Sequence, residues 1–489
     1  MGKENFTTRS KNYYSKCNKK SNNSFKESAS FATYDHLIRN SFEFKSTILP
    51  TKNVTYIGLV VFLLMLGAIR FSIYSTFYFL VVLNLILIMT LLFKSYLTIK
   101  YAIDCLKKDK NKQFIIHNFP IYSVLLPIYK ESKIVKSLIN GIEKINYPKD
   151  KLQVLVILEE DDFETIKALK NINIPENFHI IYVPLSYPRT KGKACNYALQ
   201  YVKGDYTVIY DAEDIPHPNQ IKEALQEFLI SDNHIGCIQA KLNFFNIYEN
   251  FLSKMMSLEY YMQYDYIFPA MVKKIFPVPL GGSSNHFKTS VLRKLKGWDA
   301  YNVTEDAEIG YRLAKEGYKI GMINSYTIEE SPIRLKPWLI QRSRWIKGHI
   351  ITYFTHFKSC FCKKDNVSNK KFFISLQYSM GISPLLQLFI PIAFIITFCY
   401  MMDFVQLAGL QSKIVYIVSS ISLVLWLKYN IISILLIYKQ KKLKEFYIFF
   451  LFPVYVLLHS VAAYYALYQL LVNPYSWNKT SHGVSKYKL

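Results

Sequence analysis

The chain has 489 residues, of which 51% are hydrophobic, and its 60 Lys and Arg residues outweigh 35 Asp and Glu residues to give a net charge of +25. A chain this basic could bind nucleic acid, but its Lys and Arg residues gather beside apolar segments instead of along one helix or strand. We therefore predict a membrane protein with no nucleic-acid partner. The seven cysteines fit neither a zinc knuckle nor a redox CxxC motif, which indicates reduced thiols in a cytosolic domain.

The first 98 residues combine a basic segment with two apolar runs. Residues 1–52 carry ten Lys or Arg residues and are predicted to be a disordered cytosolic N-terminus, either attracted to anionic lipid or without a partner. The apolar runs Val54 to Ile69 and Phe77 to Phe93 predict a transmembrane hairpin over 53–98 that returns the chain to the cytosol. The first run begins too late for a cleavable signal peptide.

A domain is predicted over 99–350. Within it, residues 121–350 alternate short β-rich runs with amphipathic stretches, a pattern that predicts an α/β sheet. Strands are predicted at Tyr122 to Pro127, Leu152 to Leu158, His179 to Val183 and Tyr206 to Tyr210. Polar clusters follow the first, second and fourth of these runs. Since chemistry in such sheets lies at the carboxyl ends of strands, we expect the functional site there.

The last part of the chain is predicted to return to the membrane. Residues 351–377 are basic and amphipathic, which indicates an interfacial connector. Residues 378–472 hold three predicted spans, at about 383–402, 414–437 and 446–472, with a fourth left open. A short tail, 473–489, follows.

One acidic cluster, Asp211-Ala212-Glu213-Asp214, directly follows the fourth predicted strand. A hard divalent cation held by such carboxylates could stabilise the negative charge that develops on a departing diphosphate. Considered alone, an acidic turn is more often solvated surface.

Two further clusters suggest chemistry of the same kind. Thr304-Glu305-Asp306 precedes a predicted helix, where Thr304 could cap the helix while Asp306 accepts a proton from an acceptor hydroxyl. Gln341-Arg342-Ser343-Arg344-Trp345 offers guanidinium groups for phosphate and an indole ring for a sugar, although a basic helix lying on the membrane explains the same pattern.

The order and spacing of the three clusters, all ahead of predicted spans, resemble those of the processive family 2 glycosyltransferases, the cellulose synthase-like group of bacteria. The resemblance covers about residues 120–350 and implies a nucleotide-sugar-binding domain of the GT-A type inserted between transmembrane helices. Its further segments are 158–162, 188–191, 193–196, 279–287, 297–299 and 302–306, and the tail 477–483 also resembles this group's ending.

The resemblance implies a role for each matching residue. Asp306 is the expected catalytic base, and Asp211 and Glu213 are the expected ligands of a divalent cation, Mg²⁺ or Mn²⁺, with Asp214 as the fallback. The expected donor-binding residues are Pro127, Tyr129, Glu131, Glu160, Lys191, Lys193 and Asp211. The residues expected to border or close over the acceptor are Gly282, Ser283, Glu305, Gln341, Arg344 and Trp345. Glu159 and Glu160 stand where the family usually has aspartates, which leaves the nucleotide open.

The function implied is transfer of a sugar, with inversion, from a nucleotide sugar such as a UDP-sugar to a growing β-linked polysaccharide. The expected location is the bacterial inner membrane, with several spans and a cytosolic catalytic domain. Transfer of a single sugar to a lipid-linked acceptor is the alternative. A binding or scaffold protein with a decayed site is a third reading, which the intact ionisable positions disfavour.

Overall fold

The computed structural model describes residues 73–106, 116–357, 360, 369–401, 409–439, 446–474 and 483–487. The predicted N-terminal segment 1–52 and the predicted span Val54 to Ile69 lie outside these residues. The helices are α1 Ile73–Leu106, α2 Val135–Glu143, α3 Phe163–Lys170, α4 Lys191–Ala198, α5 Gln220–Ile230, α6 Phe251–Met262, α7 Phe268–Lys273, α8 Thr289–Lys294, α9 Glu305–Lys315, α10 Leu335–Phe357, α11 Asn369–Leu376, α12 Ser383–Met401, α13 Gly409–Lys439 and α14 Phe452–Val472. Single π-helical turns join α6 to α7 at Gln263–Ile267 and α11 to α12 at Gln377–Ile382.

Eight strands form one mixed sheet in the order β3-β2-β1-β4-β7-β6-β8-β5. They are β1 Tyr122–Ile128, β2 Leu152–Glu159, β3 Phe178–Val183, β4 Tyr206–Ile209, β5 Ile215–Pro216, β6 Ile235–Phe244, β7 Asn285–Lys288 and β8 Lys319–Glu329. Strands β1 to β4 are parallel, and β7 runs antiparallel between β4 and β6. The chain winds outward from β1 in both directions, which opens a crevice at the carboxyl ends of β1 and β4.

The sequence explains why the central strands form. All eight residues of β2 are buried, and a continuous apolar run suits a parallel strand covered on both faces by helices. Helix α2 buries Val135, Leu138, Ile139 and Ile142 against the sheet, a spacing that places all four on one helical face. The predicted α/β fold class is therefore confirmed, with strand ends within one residue of those expected.

Four helical segments are long and apolar enough to cross a membrane among the residues that the structure describes: Phe77–Leu106, Lys370–Phe398, Gly409–Lys439 and Phe452–Val472. Helices α1 and α13 pack together, and the Ser422 hydroxyl donates to Asn84 Oδ1 at 2.5 Å between them. The described part of the predicted connector 351–377 forms the end of α10 and all of α11, which continues through a π-turn into α12. Its interfacial position and the other domain boundaries stay predictions.

Candidate active site

The turn after β4 carries the predicted metal ligands. Asp211 forms an ion pair with Lys191, the first residue of α4, and the Lys191 ammonium also donates to the carbonyl of Gly282. Burial lowers the pKa of Lys191, but the carboxylates of Asp211 and Glu305 more than offset this and raise it, so the ammonium stays charged. One lysine thus links the β4 turn, the glycine loop and the start of α9.

Asp214, the fallback ligand, is buried beneath this turn and stabilises it. It is 1% exposed and accepts the Asp211 backbone N–H at 2.6 Å and the Ser283 hydroxyl. Its pKa is raised by burial and by the neighbouring charges of Asp211 and Glu213. Asp214 therefore orders the turn and the glycine loop, and it does not line the cavity described below.

The expected base lies beside this turn, although about 95 residues separate the two in sequence. A Cβ placed on Gly282 would lie 3.1 Å from Asp306 Oδ2 and 3.6 Å from Asp211 Oδ2, so these two oxygens are no further apart than the sum of the two distances. Glycine leaves this space open, which allows a reacting group to lie between both carboxylates.

Burial raises the pKa of both carboxyl groups at the start of α9. For Glu305 burial and the adjacent Asp306 charge raise it to about 7. For Asp306 burial raises the pKa, and Lys191 partly opposes the increase. Two adjacent carboxyl groups whose pKa values are raised are typical of acid–base sites.

Helix α10 closes the site with the predicted residues Gln341, Arg344 and Trp345. Gln341 is 9% exposed, and its Oε1 has no hydrogen-bond partner in the described part of the chain. The guanidinium of Arg342 lies 4.6 Å from the centre of the Trp345 ring and pairs with Glu259 at 2.7 Å. Arg342 therefore fixes the indole ring, whereas Arg344 faces the acidic site. There the charge of Arg344 opposes part of the rise in the Asp306 pKa.

A cavity of about 590 Å³ extends from these groups to the candidate membrane-spanning helices. Its lining contains the predicted residues Pro127, Tyr129, Glu131, Lys191, Asp211, Glu213, Gly282, Ser283, Glu305, Asp306, Gln341, Arg344 and Trp345. The cavity continues between α1, α12, α13 and α14, where Gln387, Tyr429 and Asn430 also line it. The structure thus brings nearly all predicted site residues to one cavity.

Two predicted donor-binding residues lie elsewhere. Lys193 is 1% exposed and pairs with Glu159 at 2.7 Å, and it does not line the cavity. Glu160 accepts the Leu185 backbone N–H at 2.8 Å outside the cavity lining. Donor binding by these two residues stays a prediction.

The predicted helix cap at Thr304 is wrong in detail. Thr304 occupies the N-cap position of α9, but its side chain caps no backbone N–H; its hydroxyl donates to Asn302 Oδ1 at 3.3 Å instead. A close approach to α10 explains this, since a Cβ on Gly348 would come within 3.0 Å of several Thr304 side-chain atoms.

The carboxylates suit a cation that is shared with a ligand. Among the described residues no three His, Cys, Asp or Glu side chains converge as a complete metal centre would require. However, burial and the repulsion of Asp214, Glu213 and Asp211 raise the pKa of Glu329, which lines the same cavity. These carboxylates would suit a hard divalent cation, which Asp211 and Glu213 would hold.

Sequence reasoning missed Glu329 and the Arg342–Glu259 pair. Glu329 ends β8, and an Oε1 without a hydrogen-bond partner in the described chain marks it as part of the site. An acidic pair at a strand end, Glu329-Glu330, was the available signal. Nothing local in the sequence indicated that Glu259 would meet Arg342.

The fold and this site define a GT-A-type domain. Residues 120–348 match the family described as "Glycosyltransferase like family 2". The match covers 229 of the 489 residues and agrees with the family that the sequence motifs indicated.

Curated relatives agree with this assignment. A probable glycosyltransferase of Bacillus subtilis, YdaM, is 26% identical over 47% of this chain and 55% of its own length. Glucomannan 4-beta-mannosyltransferase 2 of Arabidopsis thaliana is 26% identical over 47% of this chain and 45% of its own length. The chain spans about half the length of the curated relatives it matches.

One solved structure shares the fold over most of the chain. It is a mannosyltransferase of Pyrobaculum calidifontis in complex with GDP-Man and Mn2+, with a TM-score of 0.53, 18% identity, and coverage of 80% of this chain and 99% of that chain. At this identity the likeness shows the shared fold.

Proposed function

We propose that the chain is a membrane-bound inverting glycosyltransferase that extends a β-linked saccharide from a nucleotide sugar. The convergence of Asp306 and Asp211 on the open space at Gly282 carries this proposal, because a base beside a diphosphate site is what single-displacement sugar transfer needs. A divalent cation is expected at Asp211 and Glu213, and the Pyrobaculum protein is described in complex with Mn2+.

In the proposed reaction the oxygen of the acceptor hydroxyl bonds to the anomeric carbon, and Asp306 accepts the proton that this hydroxyl loses. The bond from that carbon to the diphosphate oxygen breaks in the same step, so the configuration inverts and an α-linked donor gives a β-linked product. A divalent cation would supply positive charge beside the departing diphosphate. Lys191 and Arg344 add fixed positive charge on two sides, and the partly buried cavity strengthens these interactions.

The cavity favours a saccharide acceptor. Beyond Trp345 it is lined by aromatic rings, Tyr260, Tyr264 and Tyr429 among them, and by the amides of Gln387 and Asn430. Aromatic faces stack on sugar rings, and amides bond to their hydroxyls. Because the lining continues into the membrane helices, a growing chain has a path from the site, which supports extension over a single transfer.

The test uses the full chain in membranes incubated with labelled UDP- and GDP-sugars plus Mg²⁺ or Mn²⁺. We expect one donor to release its nucleotide and to yield an extended saccharide, and excess EDTA to abolish both. Product length separates extension from single transfer. No nucleotide release from any donor, or full turnover in EDTA, would contradict the proposal or its metal.

A further inference from the structure

Lys94 is a charged residue in an apolar helix that faces the cavity. It lies in the candidate span Phe77–Leu106 and lines the cavity that leads to Asp306. Its ammonium lies 5.9 Å from the centre of the Tyr429 ring on α13. A lysine in a candidate spanning segment marks a functional site when it faces the interior of the helix bundle.

The charge of Lys94 is not neutralised by a carboxylate of its own. Glu259, whose charge acts on it, already binds Arg342 at 2.7 Å and accepts the Tyr455 hydroxyl at 2.8 Å. One carboxylate thus faces two cations. Within the described part of the chain a protonated Lys94 therefore gives this end of the cavity an excess positive charge, which an anionic ligand would balance.

The position of Lys94 along α1 matches the headgroup layer. About 20 helical residues cross the hydrocarbon core, and that length counted from Phe77 ends close to Lys94. Farther along α1, Tyr101 packs on Tyr266 at 6.5 Å and Asp104 pairs with Lys273 at 3.2 Å. These contacts place the end of α1 against the catalytic domain, so Lys94 lies at the membrane boundary on that side.

We propose that Lys94 binds the phosphate of a lipid-linked acceptor whose sugar extends along the cavity to Asp306. This inference rests on the proposed glycosyl transfer and names the acceptor class for it. A phosphate ester at the headgroup level carries a negative charge that can pair with the Lys94 ammonium. The polar lining of Gln387 and Asn430 receives the sugar. The attacking group remains a sugar hydroxyl, because the phosphate is held at Lys94.

A lysine that only anchors the helix at the interface would behave differently. Lys100, on the same helix, is such a residue, since its side chain is 45% exposed and pairs with Asp104 at 3.7 Å. Lys100→Met is therefore the matched control for Lys94→Met. Lys94→Arg keeps the charge and tests whether charge alone is required.

The experiment measures binding of labelled polyprenyl phosphate and of the matching polyprenol to the full chain in nanodiscs of neutral phosphatidylcholine. We expect the wild type and Lys100→Met to bind the phosphate at least tenfold more tightly than the alcohol. Lys94→Met should remove this preference, and Lys94→Arg should retain most of it. Equal binding of both lipids by the wild type, or an unchanged preference in Lys94→Met, would overturn the inference.

A second arm tests whether the anion belongs to the saccharide. Binding of a hexuronic acid oligosaccharide is compared with that of a neutral oligosaccharide. Preference for the acidic oligosaccharide that depends on Lys94, without preference for the lipid phosphate, would also overturn the inference. Nucleotide release by the wild type is measured in the same discs: release without lipid preference rejects only the lipid site, whereas no release from any donor rejects the transferase.

Discussion

At the scale of single residues, the site depends on two carboxylates that one glycine keeps accessible. Asp306 and Asp211 face the same open space at Gly282, and Lys191 joins that space to the start of α4. A base and a diphosphate site so close together allow proton removal and leaving-group stabilisation in one step. The roles of these residues can be separated by substitutions that keep their shape.

Replacing Asp306 with Asn should lower transfer by about 10² to 10⁴, the usual contribution of a general base. Asn keeps the size of the side chain and can still accept the Ala307 backbone N–H that Asp306 accepts at 2.7 Å. Donor affinity should change little. Steady-state kinetics and donor binding check this. Loss of donor binding would instead make Asp306 a structural or metal-binding group, and near-normal transfer would pass its role to Glu305.

The pH dependence of transfer should report the raised pKa of Asp306. The base acts when deprotonated, so the rate should fall as pH drops through a value above the ordinary aspartate pKa of about 3.9. Glu305→Gln removes the neighbouring carboxyl group that interacts with Asp306 and should move this acid limb to lower pH. An acid limb that does not move in Glu305→Gln would show that the two groups titrate independently.

The residue scale also shows what the sequence could and could not predict. Asp211 and Tyr129 were predictable because apolar runs fix the strand ends and polar residues follow them. The Lys193–Glu159 pair could not be predicted, because its partners are 34 residues apart and its burial depends on how α4 packs on β2. The meeting of Asp306 with Asp211 depends on the loop at Gly282, which local sequence does not specify.

At the scale of elements, α9 and α10 form the wall that closes the site. Gly348 on α10 lies against Thr304 at the start of α9, and His356 on α10 bonds to Glu308 on α9 at 2.9 Å. Arg312 binds the other Glu308 oxygen at 2.7 Å. These contacts hold α9 and α10 together, so the position of Asp306 on α9 depends on the position of α10, which carries Trp345.

Gly348→Ala should disrupt this contact. A Cβ there would come within 3.0 Å of several Thr304 atoms, whereas a Cβ on Gly141 in α2 would meet nothing within 4 Å. We expect Gly348→Ala to lower transfer about tenfold or more and to reduce the melting temperature. Gly141→Ala should leave activity unchanged and slightly raise stability, because alanine favours helix. Equal behaviour of the two variants would mean that α10 shifts freely past α9.

Trp345→Ala should lower transfer to a saccharide about tenfold more than it lowers hydrolysis of the donor. A stacking surface stabilises the acceptor sugar by roughly 0.5–1.5 kcal/mol, and water needs none. Trp345→Phe keeps a ring over Arg342 and should retain most transfer. If both activities fell equally in Trp345→Ala, the indole would serve only the packing of α10.

At the scale of the whole molecule, the tail constrains how the chain crosses the membrane. Glu330, next to the site, accepts the backbone N–H groups of Val484 at 2.8 Å and Ser485 at 2.6 Å. If the chain spans a membrane as proposed, the tail and the catalytic domain are on the same side of it, so the chain between them would cross an even number of times. The candidate spans Lys370–Phe398 and Gly409–Lys439 would supply two crossings.

We therefore predict that α14 does not cross, although its length and composition permit it. Both its ends contact the catalytic domain: the Tyr455 hydroxyl donates to Glu259 at 2.8 Å, and the Lys347 ammonium donates to the Asn473 carbonyl at 3.5 Å. The distribution of charge agrees with this prediction, since residues 402–408 have no Lys or Arg and residues 440–445 have three Lys. Such a distribution favours the cytosol for residues 440–445 and for residues 100–375.

Protease added to intact cells should spare a C-terminal epitope tag and the catalytic domain alike, and should cleave both after permeabilisation. Cleavage of the tag alone in intact cells would show that α14 crosses and that the tail contact forms only before insertion.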